Sequence, residues 1–486
     1  MGRLVKNELI KLFKKKSLYV TLIIIFVFLI FCNIMYKSMN NSYYYGFEYS
    51  EQTLKYLNEQ LSTLDPEKSS DISLYIDVKS QIDLYEMMGQ YENHSWQQQV
   101  IGQKLSSYFR EKAMYEYGEE KDTEKASEIQ AKIDDVKQKL DTDDWMYFAN
   151  QDLEEVNKNI ANLEQQEKST DDKQTLQSLA QEIESAKVSK IVAEYRIDKG
   201  IKYGNDYLNR ALDNYESSAK ELIRYDFLDR ELTYEEKTQY NDLLENREVN
   251  KYIIENNIND EDMTLKTMFE NFFSQFGIFI IVILVMVAGT IVSEEFNKGT
   301  IKLLLVKPYS RNKILASKFV TSLIMIVIVV MVTALMELLI GGVIFGFDSL
   351  SIPVLEYDFN ANSVQAINVF VYFGIQLLTQ LPMIILLTTL AFALSTLFTN
   401  SALAITIALL GYMSTTIINQ LAISFDIQFL KYFVTMNWDL SQYLFGGLPY
   451  MEGMSMPVSI VICIVYFLIM VIPTWIVFKR RNIKNI

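Results

Sequence analysis

The sequence predicts an all-α membrane protein: six transmembrane helices, with a helical, coiled-coil-like extracellular domain inserted between the first two. Hydrophobic residues make up 50% of the 486 residues, yet the formal net charge is −15. The apolar residues are concentrated in six runs of about 20 residues, the length that a helix needs to cross a bilayer. Acidic residues are concentrated in residues 37–271, where 50 Asp and Glu stand against 28 Lys and Arg. Length alone would predict several soluble domains, but this separation of apolar from acidic residues argues against that prediction.

Residues 1–16 are predicted to form an amphipathic helix at the membrane surface. The apolar residues share one face and most basic residues lie elsewhere: Leu4, Val5, Leu9, Leu12 and Phe13 against Arg3, Lys6, Lys11 and Lys14 to Lys16. The alternative is that these charges only flank a span. Residues 17–36 are the first predicted span, because the run is longer than the apolar part of a usual signal peptide and no clear cleavage site follows.

Residues 37–271 are predicted to form antiparallel helices packed along narrow apolar seams. Three seams show apolar residues at steps of three and four: Ala126, Ile129, Ile133, Val136 and Leu140; Leu153, Val156, Ile160 and Leu163; Leu176, Leu179, Ile183 and Ala186. Breaks near Asp141–Asp144 and Lys168–Lys173 separate them. The pattern favours an elongated helical domain in which tyrosines serve packing rather than ligand binding.

Five further apolar runs complete the membrane part. The predicted spans are 272–292, 319–345, 369–397, 402–423 and 458–478. The segments between and after them are a loop at 293–318, connections at 347–365 and 424–456, and a tail at 479–486. Within the second connection, Leu440 to Leu448 is a candidate interfacial or re-entrant helix, since it is too short to span the bilayer.

The distribution of basic residues predicts the topology. An even number of spans places both termini on one side of the membrane. Of the 17 Lys and Arg outside the insert, six lie in residues 1–16, six in 293–318 and four in the tail, leaving Lys431 on the opposite side. The preference for positive charge on the inner side therefore predicts cytoplasmic termini, a cytoplasmic 293–318 loop and an extracellular insert at residues 37–271.

Several classes of protein and site are excluded by composition. Cys32 and Cys463 both lie in apolar runs, so the insert is not stapled by disulfides. His94 is the single histidine and stands in a polar segment, which favours a solvated residue over a catalytic one. No GxxxxGK[ST] motif occurs, so any ATP must be bound by another polypeptide. We expect no catalytic residue, no metal site and no nucleic-acid partner in this chain.

The 293–318 loop carries the most specific pattern in the chain. A short apolar segment begins after Gly299 and ends at Pro308, and Ser310 is predicted to cap a helix that continues directly into the third span. Periodicity leaves two interpretations open. The loop either docks its apolar strip into a groove of a partner protein or lies on anionic lipid headgroups.

This loop resembles the signature of ABC-2 type exporter permeases. The matching residues are Glu294, Glu295, Phe296, Gly299, Thr300, Lys302, Leu303, Leu304, Pro308, Ser310, Arg311 and Lys318. The resemblance implies that two permeases pair, as a homodimer or heterodimer, and that cytoplasmic ATPase subunits carrying ATP and Mg drive them through this loop. It implies an ATPase-coupling role for the matching residues up to Arg311. Relatives with large external domains are linked to antimicrobial-peptide export and immunity.

A few polar residues lie within the predicted spans. Gln376 and Gln380 lie in the fourth span and Asn419 and Gln420 at the end of the fifth. They are candidates for a substrate path, although contacts between helices are the simpler explanation. Glu337 lies 19 residues after Lys318, about 28 Å along a helix. That distance favours a carboxylate at the outer membrane interface over a proton relay.

Two classes of function remain open. The first is the permease of an ATP-driven exporter in a bacterial cell membrane, moving an amphipathic or hydrophobic peptide, lipid or drug. The acidic insert would attract cationic peptides, unless its charge only keeps the domain soluble. The second is a membrane-anchored sensor or transducer whose helical ectodomain binds an extracellular partner. A third interpretation, sodium extrusion, is disfavoured because acids near the middle of the membrane are missing.

Overall fold

A computed structural model describes residues 1–40, 49–301, 309–398 and 400–481. The protein is 78% helical, which confirms the all-α class. It divides into two compact units. The first consists of Met1–Asn41, Tyr234–Asn241 and Asp262–Ile486, and the second of Ser42–Thr233 and Asp242–Glu261.

In the described part of the first unit, six helices are long and apolar enough to cross a membrane, as predicted. They are Lys16–Asn40, Phe272–Ile291, Arg311–Phe345, Val369–Phe398, Ser401–Ser424 and Met456–Arg480, and they are called the first to sixth span. Short helices at Gly2–Phe13, Leu265–Glu270, Ser293–Asn297 and Val434–Asn437 accompany them. The chain is therefore a multi-pass membrane protein.

The third span is longer than the apolar run that predicted it. Its helix begins at Arg311, where the Ser310 hydroxyl accepts a hydrogen bond from the Lys313 backbone N–H at 3.4 Å. It ends before Gly346, whose φ of 87° lies in the left-handed region that glycine adopts readily. The predicted cap is confirmed, and the end of the loop and the third span form one continuous helix.

The second span lies at the centre of the membrane unit. Phe276, Ile280 and Leu284 are almost fully buried along its length. Gly289 lets the fifth span approach closely, because a Cβ at this position would lie 2.8 Å from Ile405 Cγ1. By contrast, the fifth and sixth spans leave many large apolar side chains exposed, as suits helices that face lipid.

The connection at 347–365 contains structure that the sequence did not predict. Strands Val354–Asp358 and Ser363–Ile367 pair antiparallel, with Val354 opposite Ile367. The Tyr372 hydroxyl at the start of the fourth span donates to Glu356 Oε1 at 2.6 Å and ties the hairpin to that helix. The pair is too short to change the fold class.

The candidate interfacial or re-entrant helix at Leu440–Leu448 is not one continuous helix in the structure. This segment forms a 3₁₀ turn at Ser441–Gly446 whose helical backbone breaks at Leu444 and Phe445. The Asp439 carboxylate accepts a hydrogen bond from the Ser441 backbone N–H at 2.9 Å, and an aspartate that bonds nearby backbone favours a turn over a continuing helix.

The second unit is a set of helices within the predicted insert. They run over Glu51–Leu61, Ile72–Met88, Trp96–Val100, Ser106–Tyr117, Thr123–Asp141, Trp145–Ser169, Lys173–Asp198, Tyr207–Asp226 and most of Tyr234–Asn256, with a π-helical turn at Ile101–Leu105. The first predicted seam is fully buried, whereas only Leu163 of the second is. Asp144 and Asp172 cap the helices that follow the two predicted breaks.

Candidate functional site

The N-terminal helix Gly2–Phe13 is amphipathic, but its buried face is not purely apolar. Val5 and Leu12 are buried as expected, and Glu8 is buried between them at 7% exposure. A carboxylate is rarely buried without a cationic partner, because removal of charge from water is costly. The helix therefore needs a cation at this point.

That cation is Lys318 near the start of the third span. Its side chain is 1% exposed, and its ammonium group donates to Glu8 Oε2 at 2.8 Å, Glu295 Oε1 at 3.3 Å and the Ile291 backbone oxygen at 3.0 Å. An ammonium group has three N–H donors, and all three are used. Lys318 thus joins the N-terminal helix, the end of the second span and the start of the third.

Glu295 is the second carboxylate of this arrangement. Lys11 donates to it at 3.0 Å and to Glu8 at 3.1 Å, so two cations alternate with two anions. Burial raises the pKa of Glu295, but the Lys318 cation, the Thr300 hydroxyl and Lys11 outweigh burial and hold that pKa at about 2. Glu8, Lys11, Glu295 and Lys318 are called the four-charge cluster below.

The loop that begins after the second span is shaped to complete this cluster. The short helix Ser293–Asn297 is followed two residues later by Gly299, whose φ of 68° lies in the left-handed region. This turn returns the chain so that the Thr300 hydroxyl donates to Glu295 Oε2. The Glu295, Gly299 and Thr300 positions of the predicted coupling region therefore act as one local structure.

A second ion pair lies beside the cluster. Lys15 approaches Glu294 at 2.8 Å and donates to the Thr290 hydroxyl at 3.3 Å. Lys298, which is mostly exposed, lies 3.5 Å from the same carboxylate. Both acidic residues of the Glu294-Glu295 pair thus bind lysines of the N-terminal segment.

Phe296 and Arg311 connect the same region to the fourth and sixth spans. Phe296 is buried, with the Arg481 guanidinium 5.2 Å from its ring centre. Arg481 in turn donates to the backbone oxygens of Thr396 and Leu397, which end the fourth span, at 2.6 and 2.9 Å. Cations stabilise the carbonyl end of a helix in this way.

Arg311 binds the end of the sixth span. Its guanidinium donates to the backbone oxygens of Lys479 and Arg481 at 3.1 and 2.8 Å. The two described ends of the loop therefore contact the N-terminal helix and the ends of four spans. Four predicted coupling residues lie outside the described residues: Lys302, Leu303, Leu304 and Pro308.

The predicted substrate-path residues each have a separate partner. Gln376 donates to the Glu270 backbone oxygen, and Gln380 donates to Asp439 Oδ1 at 2.7 Å. Asn419 and Gln420 bind near the end of the fifth span, to the Thr435 backbone oxygen at 3.1 Å and the Ser424 hydroxyl at 3.0 Å. The bonds of Gln376, Gln380 and Asn419 hold their spans to neighbouring segments, and the bond of Gln420 lies within the fifth span. A substrate-path role for these residues stays a prediction.

Sequence reasoning did not identify Glu8 as a site residue or give Lys318 a role within the site. One signal was available for Glu8: it is the single acidic residue among the first 16 and falls four residues after Leu4 and four before Leu12, on the apolar face. Lys318 offers no comparable signal, because a lysine before an apolar run is also the usual flanking charge of a span.

The arrangement is suited to transmitting force rather than to covalent chemistry or metal binding. Each charge of the cluster is matched by an opposite charge within 3.3 Å. Over the described part of the chain, no group of three His, Cys, Asp or Glu side chains could hold a metal ion. The cluster fixes the 293–318 loop to the N-terminal helix and to the second and third spans through charge-assisted hydrogen bonds.

Comparison with known proteins places this chain among uncharacterised relatives. Residues 242–484 match the family described as "Protein of unknown function (DUF2705)". The chain is 33% identical over 242 residues to "Uncharacterized protein YhcI" of Bacillus subtilis, covering 49% of this chain and 75% of YhcI. It is 26% identical over 200 residues to "Uncharacterized membrane protein YdbK" of the same organism, covering 41% and 76%. No solved structure matches it.

Proposed function

We propose that this chain, which belongs to the DUF2705 family of proteins of unknown function, is the membrane-spanning subunit of an ATP-driven exporter. In this proposal it pairs with a second permease, identical or not. Cytoplasmic ATPase subunits bind ATP and Mg and act on the 293–318 loop. The loop's resemblance to ABC-2 permeases supports ATP-driven export as the function. The contacts around the loop support the way in which movement of the ATPase would reach the spans.

The observation that carries the proposal is the position of Glu295. This residue belongs to the ABC-2-like motif and is bonded at once to Lys11 of the N-terminal helix and Lys318 of the third span. A push on the loop would therefore move both elements together, because separating the buried charges of Glu295 and Lys318 is costly and Lys11 adds a second, more exposed ion pair. A loop that served only to connect two spans would not need such contacts.

The third span extends that connection across the membrane. Arg311–Phe345 is one helix of 35 residues, about 52 Å at about 1.5 Å per residue. Since a bilayer core is about 30 Å thick, the helix is long enough to reach from the loop to the opposite surface. Movement of its loop end would thus reach the outer side without an intervening hinge.

The proposed orientation follows the distribution of charge. The termini and the 293–318 loop face the cytoplasm of a bacterial cell, and residues 37–271 face outward. The described spans are almost free of charged side chains at their centres, which suits an amphipathic peptide, a lipid or a hydrophobic drug as substrate. The net negative insert would concentrate cationic peptides near the exit.

Co-purification in mild detergent tests the proposal. The full-length chain, produced in its natural host with an affinity tag, should retain a protein that contains a P-loop and hydrolyses ATP. The Leu304→Asp variant should lose that ATPase or its coupling to transport, because an acidic side chain would disrupt an apolar docking strip. Lys431→Ala, on the predicted outer side, is the matched control and should retain it.

The alternative, a sensor or transducer, is supported by a different observation. The second unit has an apolar core of its own, with Phe148, Ile101 and Leu105 fully buried, as a separately folded binding domain would need. Reconstitution of the purified complex in vesicles separates the two functions. ATP-dependent accumulation of a labelled cationic amphipathic peptide is expected of the exporter, and ATP hydrolysis without accumulation is expected of the transducer.

A further inference from the structure

Two polar side chains are fully buried between the first and third spans. Asn33 and Glu337 are both 0% exposed, and Asn33 Nδ2 donates to Glu337 Oε2 at 3.1 Å. The sequence predicts that Glu337 lies at the outer membrane interface, and that depth in the bilayer stays a prediction. The side chain packs inside the protein, against the first span.

The donors and acceptors of this pair do not balance. An amide group has two N–H donors, and Asn33 uses them on Glu337 and on the Leu29 backbone oxygen at 2.9 Å. Asn33 Oδ1 and Glu337 Oε1 remain, and neither has a donor among the described residues. Leaving two such acceptors unpaired in a membrane interior is costly, because no water is present there to replace the missing donors.

Nearby cations do not supply the missing donor. Lys37 on the first span donates to the Ile344 backbone oxygen at 2.5 Å. Lys266 on the helix Leu265–Glu270 lies 3.8 Å from Glu270. Within the described ranges, Glu337 has no salt bridge, so an ionised carboxylate there would be an uncompensated charge in the membrane.

The two unpaired oxygens face one small space. A Cβ built at Gly341 would lie 3.0 Å from Glu337 Oε1 and 3.4 Å from Asn33 Oδ1. Both oxygens therefore border the third span at Gly341, on the side that faces the first span. A single O–H on Glu337 Oε1 would satisfy both, since it removes one acceptor's charge and donates to the other.

We propose that Asn33 and Glu337 form a proton-binding site between the first and third spans, occupied at neutral pH. The carboxylic acid and the carboxamide then form a two-bond ring, in which Asn33 donates to Oε2 and Oε1–H donates to Oδ1. Separation of the first span from the third would admit water, and a hydrated carboxyl ionises at neutral pH. Titratable groups on the neighbouring elements are Cys32, Tyr36 and Lys37 of the first span and Lys266 and Glu270 of the helix Leu265–Glu270.

Infrared spectroscopy of the full-length protein in lipid vesicles at neutral pH tests this site. The C=O stretching band of a protonated carboxyl should be present in the wild-type protein and lost in Glu337→Gln. This variant keeps the size of the acid and its donor toward Asn33, so it should fold. Glu452→Gln, which removes an exposed carboxylate, is the matched control and should leave the band unchanged.

A second variant keeps the test independent of how Glu337→Gln folds. Asn33→Ala removes the acceptor of the proposed O–H bond, and the band should persist at a higher frequency because a free carboxyl has a stronger C=O bond. Absence of the band from the wild-type protein would overturn the proposal. Persistence of an unchanged band in both Glu337→Gln and Asn33→Ala would assign it to another carboxyl, with the same consequence.

Discussion

Replacement of Lys318 by methionine is expected to destabilise the membrane unit strongly. The change keeps the length of the apolar stem and removes the ammonium group that binds Glu8 at 2.8 Å and Glu295 at 3.3 Å. Both carboxylates would then depend on Lys11, whose side chain is 51% exposed and partly screened by water. The buried carboxylates of Glu8 and Glu295 would then share one lysine instead of two.

The magnitude follows from the burial of the partners. The Lys318 side chain is 1% exposed and those of Glu8 and Glu295 are 9% and 12% exposed. Removal of one partner from such a buried pair costs about 3–5 kcal/mol. Lys298→Met is the matched control: its side chain is 68% exposed and 3.5 Å from Glu294, so its loss should cost about 0–1 kcal/mol.

Unfolding of the membrane unit can be followed by labelling of the buried Cys463 thiol, in a Cys32→Ala background, as denaturing detergent is added. Lys318→Met should shift labelling to clearly lower detergent concentration than Lys298→Met. The triple variant with Glu8→Gln and Glu295→Gln should recover most of the loss, because no buried charge is then left unpaired. Equal effects of the two lysine variants, or no recovery in the triple variant, would refute this account of the cluster.

Three further predictions concern separate parts of the chain. The pKa of Glu295 falls from its ordinary 4.5 to about 2, so the stability contributed by its carboxylate is present above pH 4.5 and is lost as the pH falls toward 2. The free energy of unfolding should therefore fall more steeply with pH in that window for the wild type than for Glu295→Gln. Equal slopes would contradict the lowered pKa. Gly289→Ala should lower the free energy of unfolding of the membrane unit by about 1–3 kcal/mol, because the new Cβ would clash with Ile405. Gly374→Ala, whose new Cβ has no atom within 4 Å, should leave that free energy unchanged in the same assay. Cysteine at exposed Ser178 should react with a membrane-impermeant thiol reagent on intact cells and cysteine at exposed Asn312 only after lysis, and the reverse pattern would invert the topology.

The spans could be predicted from the sequence because a bilayer imposes one strong rule. Every residue of a membrane helix must be apolar or paired over about 20 residues, and this leaves a long, continuous signal. The cap at Ser310 was likewise predictable, since serine before a helix and proline shortly upstream are local preferences. The seam from Ala126 to Leu140 was visible because one helical face is buried throughout.

The cluster and the short connections could be predicted only in part, since they depend on contacts distant in sequence. Glu8 and Lys318 are 310 residues apart, and nothing in either neighbourhood specifies the other. Glu337 was judged by its distance along a helix, whereas its surroundings depend on Asn33 of another span. The turn at Ser441–Gly446 depends on Asp439 bonding its own backbone, which competes with the helical pattern seen in the sequence.

In the proposed exporter, a separate ATPase acts on the loop held by the four-charge cluster. A photo-crosslinking amino acid at exposed Asn297, introduced in the natural host, tests it most directly. We expect a crosslink to a P-loop ATPase from position 297, and none from exposed Phe429 in the 424–456 connection. No ATPase crosslinked at 297, or one crosslinked at 429, would contradict it.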